Sequence, residues 1–416
     1  MKNTIKFLSI FLIDKNLKLC DYKQKLKDIN SYILIMIAFF IPLSTAVPGI
    51  LSTLLIAIWL IIGNFKEDWN TLKQNKVVLA ILFFTLLHIA SLLWSSNVMH
   101  GLTYTIKKES RLLLIPIFML FVKKEYIRHY IYAFIVGMTI SEIFSYAIFF
   151  EIIPLFNRAT YQFPNPFIGH VVYTPILTMA IYVLFYYILF DKNISKKEKM
   201  TYSIFALTMS FNIFISGGRA GQVMFFAMLV ILLFQYFNQQ KIKALIISVI
   251  TLPAIFILFY STTPNFKNRI DMAFLDISQL ETNRHTSLGL RITFALNSWE
   301  IIKENFMLGV GTGGFKKSYE EVNQRLTPNL PAIQNPHNMY TLELVELGLV
   351  GVLSMLSIFF FQIRHALRQN NLLLKHLGTA LPLLFLVIMF SESYLFIVNT
   401  AFLFTLFSSF LYKHYE

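Results

Sequence analysis

A series of apolar runs recurs along almost the whole chain, and this feature most limits what it can fold into. About twelve runs qualify as candidate helices: residues 31–47, 49–63, 77–94, 102–122, 130–150, 169–190, 201–216, 220–238, 244–260, 339–361, 377–391 and 394–412. Several are long enough to cross the hydrocarbon core of a bilayer. The 416 residues are 56% hydrophobic and only 14% charged, far more apolar than a soluble domain of this size needs. The expected fold is an all-α polytopic membrane protein with about twelve transmembrane helices. A large, partly helical outer loop is expected between helices nine and ten. The first two runs meet tightly at Pro48-Gly49, a breaker pair.

The net charge of +14 does not point to nucleic acid, because the basic residues are scattered between spans and form no stripe. In a membrane protein they mark inner loops and contacts with anionic lipid. With the N-terminus inside, most of the 36 lysines and arginines fall in inner segments, as the positive-inside rule requires. The fourth run, interrupted by Lys107, Lys108, Glu109 and Arg111, has to be kept as a span. Dropping it would put Lys123, Lys124 and Arg128 outside and invert every later loop. The expected organisation is an inner N-terminal segment at 1–30, spans one to nine at 31–260, an outer cap at 261–337, spans ten to twelve at 338–412, and an inner tail at 413–416. The first 30 residues show no cleavage site behind their short apolar patch and read as an amphipathic segment on the inner surface. The single cysteine, Cys20, excludes a disulfide within the chain and a cysteine-based metal cluster.

The cap has its own pattern. Leu288, Ile292, Ala295, Trp299 and Ile302 follow helical spacing, and Asn305 and Gly309 can end that helix. Gly309, Gly311, Gly313 and Gly314 make a flexible turn, Phe315–Arg325 can form a second short helix, and Pro328, Pro331 and Pro336 punctuate an extended return to the membrane. Gly309 to Gly314 matches G-x-G-x-x-G, but a dinucleotide fingerprint needs a strand before it and a βαβ frame around it. A turn between two cap helices is the default reading, and a backbone-amide nest for phosphate is the alternative.

Candidate chemistry gathers at the outer face. Arg219, in Ser216-Gly217-Gly218-Arg219, is either a snorkelling arginine at a glycine turn or a phosphate ligand whose fork suits phosphate oxygens. Arg291 lies about two helical turns before Trp299 and is either part of a cap salt bridge or turned to the membrane. Lys107, Lys108 and Arg111 lie in the outer half of their span, where charges usually face a polar cavity, and can extend the same basin. Lys316 and Lys317, with Phe315, Tyr319 and Arg325, add a basic and aromatic mixture. His337-Asn338 sits at the mouth of the tenth span, and the pair is either a helix cap or a site in which His337 accepts a proton. Glu343 and Glu346 on the following turns orient polar partners or pair with buried basic groups. His88 reads as a hydrogen-bonded core residue. The nine histidines offer no H-E-x-x-H and no close pair with metal-ligand spacing, so no metal and no cofactor is expected.

The ordered motifs resemble a known family. Arg291 through Trp299, Leu308 through Phe315, His337-Asn338-Met339-Tyr340 and Glu346 through Gly351 look like the signature of the O-antigen ligase/polymerase superfamily, and Ser216-Gly217-Gly218-Arg219 is similar to its upstream arginine motif. Many members carry serine where this chain has Gly218. The resemblance implies transfer of a glycan from undecaprenyl pyrophosphate to an acceptor hydroxyl at the periplasmic face of the bacterial inner membrane. It implies pyrophosphate contacts for Arg219 and Arg291 and acceptor activation by His337. Lys107, Lys108, Arg111, Asn338, Lys316 and Lys317 join them as expected substrate-binding residues. The expected enzyme is a metal-independent, inverting glycosyltransferase acting on lipid A–core in lipopolysaccharide biosynthesis, most like an O-antigen ligase. An O-antigen or capsule polymerase, a protein O-oligosaccharyltransferase and, from another class, a solute transporter are the alternatives. A transporter would place its key charges near mid-membrane in paired repeats, and no repeat is visible.

Overall fold

The computed structural model describes residues 2–280 and 282–415, with side chains described from residue 21 onward. The first twenty residues of the 1–30 segment read as amphipathic, Cys20 among them, therefore lie outside the described side chains. Among the described residues the regular structure is helical: α1 Lys2–Phe40, α2 Val47–Ile62, α3 Phe65–Leu72, α4 Lys76–Ser91, α5 Leu114–Phe121, α6 Ile127–Phe149, α7 His170–Phe190, α8 Lys196–Ile215, α9 Arg219–Tyr236, α10 Lys241–Thr262, α11 Pro264–Ser278, α12 Ser287–Glu304, α13 Phe315–Leu326, α14 Met339–Leu367, α15 Leu372–Ile388 and α16 Val398–Leu411, with several shorter turns. Each of the twelve apolar runs overlaps helical structure.

By length and composition, six described helices can each cross a membrane, and a seventh span results if α2 and α3, bent by 114° at their break, count as one. Helices α15 and α16 are apolar but shorter. This is the architecture of a polytopic membrane protein. Helix α7 runs through the middle of the bundle, 78% of its apolar window being buried, whereas α10 is only 17% buried and presents its apolar surface outward. An outward apolar face costs nothing in lipid.

The fourth run is not one continuous helix. It is a π-helical stretch Gly101–Ile106, a short turn Lys107–Glu109, a 3₁₀ stretch Ser110–Leu113 and then α5. The break accommodates its charges. Glu109 is buried beside His88 of α4, with Nδ1 3.7 Å from a carboxylate oxygen, while His88 Nε2 lies 3.2 Å from Glu343 of α14. The expected core role of His88 and the pairing of Glu343 with a buried basic group are both found. Glu346 is buried nearby.

The cap is held to the bundle by an exchange of backbone hydrogen bonds. Helix α14 is broken at Gly348, whose φ of 64° is left-handed. The break frees carbonyls and amides that a helix would use internally. The N–H groups of Val310 and Gly311 donate to the carbonyls of Val345 and Glu346 at 2.9 Å, and the N–H groups of Leu349 and Val350 donate to the carbonyls of Phe306 and Met307 at 2.8 and 3.4 Å. Thr312 adds its N–H to Ser91 Oγ and its hydroxyl to His88 Nδ1. A Cβ at Gly309 would meet the Glu346 carbonyl, and one at Gly348 the Met307 carbonyl. The glycine run is thus a structural turn between two cap helices, and these amides serve the protein itself rather than a phosphate nest. Gly348→Ala is expected to destabilise by at least about 1–2 kcal/mol from its left-handed backbone alone, with more from the crowding. A lower unfolding midpoint of the detergent-purified protein would register it. An unchanged midpoint would refute the role of the break.

Within the cap, α12 presents a different face from the one its apolar spacing suggested. Thr293, Phe294, Asn297, Ser298, Ile301 and Ile302 are buried, while Ala295 and Trp299 point outward. Asn297 fixes this rotation by donating to Thr327 Oγ1 at 2.7 Å and to Tyr319 Oη at 3.3 Å. The exposed Leu296 and Trp299 then form an apolar outer edge. Helix α11 was not expected from the spacing of its residues.

Candidate functional site

Three arginines converge on one cavity of about 140 Å³ where the cap meets the bundle. Arg219 is the first residue of α9, placed by the turn at Gly217, whose φ is 68°. Gly218 lies so close to α7 that a Cβ would strike Thr174 and the His170 carbonyl, so a serine here could not be accommodated without a shift. Arg291 comes from the first turns of α12, and Arg269 from α11. Ser287, Ser391 and Tyr394 complete the polar lining. Arg269 also lies 4.8 Å from the centre of the Phe163 ring, on which His170 stacks at 3.9 Å.

This is a concentrated positive site. Burial pulls Arg269 below the ordinary guanidinium value, and the neighbouring Arg219 adds to the effect. Arginine stays charged through such a shift. No carboxylate lines the cavity among the described residues, and the buried Nε of Arg219 has no hydrogen-bond partner in the protein. Convergent guanidinium groups with free donors suit a multiply charged anion with phosphate-like oxygens.

Beside the cavity lies a histidine–carboxylate pair. His337 Nδ1 is 2.6 Å from Glu392 Oε2. Glu392 belongs to the connection between α15 and α16, where its other oxygen accepts the Ser393 N–H at 3.0 Å. The imidazole is half-exposed, while Glu392 is largely buried. Burial pushes the Glu392 carboxyl up, but the hydrogen bond and charge of His337, the Ser393 N–H and the charge of Arg291 outweigh it and hold it below the usual carboxylate range. It is therefore an anion at neutral pH. In the neutral tautomer whose Nδ1–H donates to that anion, Nε2 carries the lone pair and can accept a proton. His337 has a φ of 55°, a left-handed conformation rare for a side-chain-bearing residue and often found at functional sites. Its N–H donates to Asn335 Oδ1, which also accepts from Ser393 Oγ. Phe294, almost one turn beyond Arg291 on α12, brings its ring to 6.1 Å from the imidazole.

The structure thus brings Arg219 and Arg291 into one cavity and sets His337 next to it, linked through Glu392. Asn338 caps α14 by accepting the Thr341 N–H at 3.1 Å, so its capping reading holds. The other expected substrate contacts go elsewhere. Arg111 donates to the Phe396 carbonyl at 2.8 Å, on the same connection that carries Glu392. Lys108 sits 3.5 Å from the Tyr104 ring centre, and Lys316 lies 4.0 Å from Glu320. Lys317 is exposed, and neither Lys107 nor any of these four lines the arginine cavity. Lys108 and Lys316 instead share the surroundings of His100 under the glycine turn.

Sequence reasoning missed Arg269 and Glu392. Arg269 stands in Asn265-Phe266-Lys267-Asn268-Arg269, in a segment read only as part of the cap. The signal for Glu392 was a carboxylate in the short turn between the last two apolar runs, on the side expected to face His337.

Comparison with known proteins bears on the same region. Residues 204–356, which include Arg219, Arg269, Arg291 and His337, match the family model described as O-Antigen ligase. A protein of Haemophilus influenzae, described as uncharacterized, is 31% identical over 166 residues, covering 38% of this chain and 41% of that relative. The chain thus spans about two fifths of the length of that curated relative.

Proposed function

We propose that this chain, whose residues 204–356 match the O-Antigen ligase family model, is a glycosyltransferase of the bacterial inner membrane that moves a glycan from undecaprenyl pyrophosphate onto a sugar hydroxyl of lipid A–core. The observation that carries this reading is the cavity of Arg219, Arg269 and Arg291 set beside the His337–Glu392 pair. In this reading the chain crosses the membrane twelve times, both termini face the cytoplasm, and the cap and its cavity face the periplasm.

The chemistry divides between the two halves of the site. The pyrophosphate sits among the guanidinium groups. The acceptor hydroxyl gives its proton to Nε2 of His337 as its oxygen attacks the anomeric carbon. The bond from that carbon to the pyrophosphate oxygen breaks, and its electron pair goes to the leaving group. Attack from the face opposite the leaving group inverts the anomeric centre. The developing charge lies on phosphate oxygens, where fixed arginines stabilise it without reorganisation. These guanidinium groups supply the charge that a divalent ion would otherwise contribute, so the reaction is proposed to need no metal. Cleavage of the glycosyl–pyrophosphate bond supplies the driving force.

A deletion strain tests this directly. Its lipopolysaccharide is expected to lose the polymer ladder on lipid A–core, while lipid-linked polymer persists in the membrane. Single repeat units accumulating on the lipid carrier, with core still capped by one unit, would make the chain a polymerase. An unchanged ladder and carrier pool would refute both.

A further inference from the structure

A second charged cavity lies at the other end of α14 from His337. It has a volume of about 270 Å³ and forms where the start of α4, the end of α14 and the C-terminal segment meet. Lys76, Arg364 and Arg368 supply three cations, and the imidazoles of His365 and His414 meet edge-on, with ring centres 4.8 Å apart and planes inclined at 60°. Among the described residues no carboxylate lines this cavity, and none of the three cations forms a salt bridge.

The walls are fixed rather than loose. Asn75 caps α4 through the Val77 N–H and donates to the Tyr412 carbonyl at 2.7 Å, tying the C-terminal segment to α4. The His365 ring packs edge-on against Tyr412, and Gln369 bonds its Nε2 at 2.8 Å. Val77 and Phe361 give the cavity an apolar side. A helix C-terminus favours nearby cations, which accounts for Arg364 and Arg368 at the end of α14. It does not account for Lys76, which stands at a helix N-terminus, where positive charge is disfavoured. An anion held between the two helix ends resolves this, since it suits the positive end of the α4 dipole and all three side chains.

We propose that this cavity is a binding site for a phosphate-bearing anion, which clamps the ends of α4 and α14 together. Its place at the ends of two apolar spans, with Val77 and Phe361 beside the cations, matches the interface where phospholipid headgroups lie. Basic pockets between transmembrane helices hold such headgroups. The proposal is independent of the glycan-transfer reading.

The test uses the full chain purified in neutral detergent, with unfolding followed by tryptophan fluorescence. Three probes are titrated: phosphatidylglycerol in mixed micelles, phosphatidylcholine as the neutral control, and inorganic phosphate. Phosphatidylglycerol is expected to raise the unfolding midpoint, and phosphatidylcholine is not. A matching rise with inorganic phosphate would show that a free anion suffices, and a rise with the lipid alone would assign the headgroup. The double variant R364Q/R368Q is expected to weaken the effective lipid or phosphate affinity about thirtyfold, and Lys76→Gln about fivefold. The surface variant K196Q/K197Q is expected to behave as wild type. Should the double variant not fold, lipid retained by Lys76→Gln in native mass spectrometry is compared with wild type. The proposal is overturned if neither anion shifts the wild-type midpoint, or if the cavity variants bind as tightly as the wild type.

Discussion

His337→Ala is expected to lower glycan transfer by about two or more orders of magnitude, with protein level and donor binding close to normal. The His337 imidazole lies beside the arginine cavity, half-exposed and with a fixed carboxylate partner on Nδ1. Glu392, held at 2.6 Å from Nδ1, sets which nitrogen carries the proton. Glu392→Gln then becomes the more telling variant. An amide can present its NH₂ to Nδ1, and so favours a proton on Nε2, the wrong nitrogen for a base. Such a tautomer error alone costs a serine protease about four orders of magnitude in turnover. A half-exposed histidine can partly recover, so a loss of about one to three orders is expected for Glu392→Gln. The measurement is transfer by purified protein from a lipid-linked donor to core acceptor, with donor affinity recorded separately. Near-normal turnover in His337→Ala would remove the base from the mechanism. Loss of donor affinity with unchanged turnover would move His337 to the donor site.

The arginine variants come next in expected size. Lysine keeps the charge but loses the planar fork that grips two phosphate oxygens. Arg219→Lys and Arg291→Lys are each expected to reduce turnover by about 10²-fold, with weaker donor binding. Arg269→Lys separates a two-arginine site from a three-arginine site. Its guanidinium is half-buried beside Arg219 and stacked over Phe163, so a lysine there would lose the stacking as well. A loss comparable to that of Arg219→Lys is expected. Wild-type affinity and turnover in both Arg219→Lys and Arg291→Lys would show that the cavity does not hold the pyrophosphate.

The contrast between Arg219 and Lys108 shows where sequence reasoning holds. Span counting puts both at the outer face and assigns both to one positive basin. Arg219 reaches the cavity because Gly217 and Gly218 let the start of α9 press against α7. Lys108 sits on a stretch broken into π and 3₁₀ turns, and its ammonium lies over Tyr104, four residues back on the same face, rather than in the cavity. Span counting fixes depth along the membrane normal. It does not fix direction within the plane, and a break in the helix changes that direction. The face of α12 went astray for a related reason. Apolar periodicity marks a helix, but where lipid is nearby the apolar side need not be the buried one. Asn297, a polar residue, sets the inward face.

The sequence by itself determined the helical class and the apolar, membrane-spanning character of the chain, because apolar length is a property of local composition. It also singled out Arg219, Arg291 and His337, each marked by short motifs at the ends of helices. Only the tertiary structure joined Glu392 to His337 across 55 residues, added Arg269 to the cavity, and spliced the Gly309 turn into the break at Gly348. These are pairings between segments that no local pattern connects. They depend on how helices rotate and approach one another, and that is settled by buried hydrogen bonds and by the space a missing Cβ leaves open.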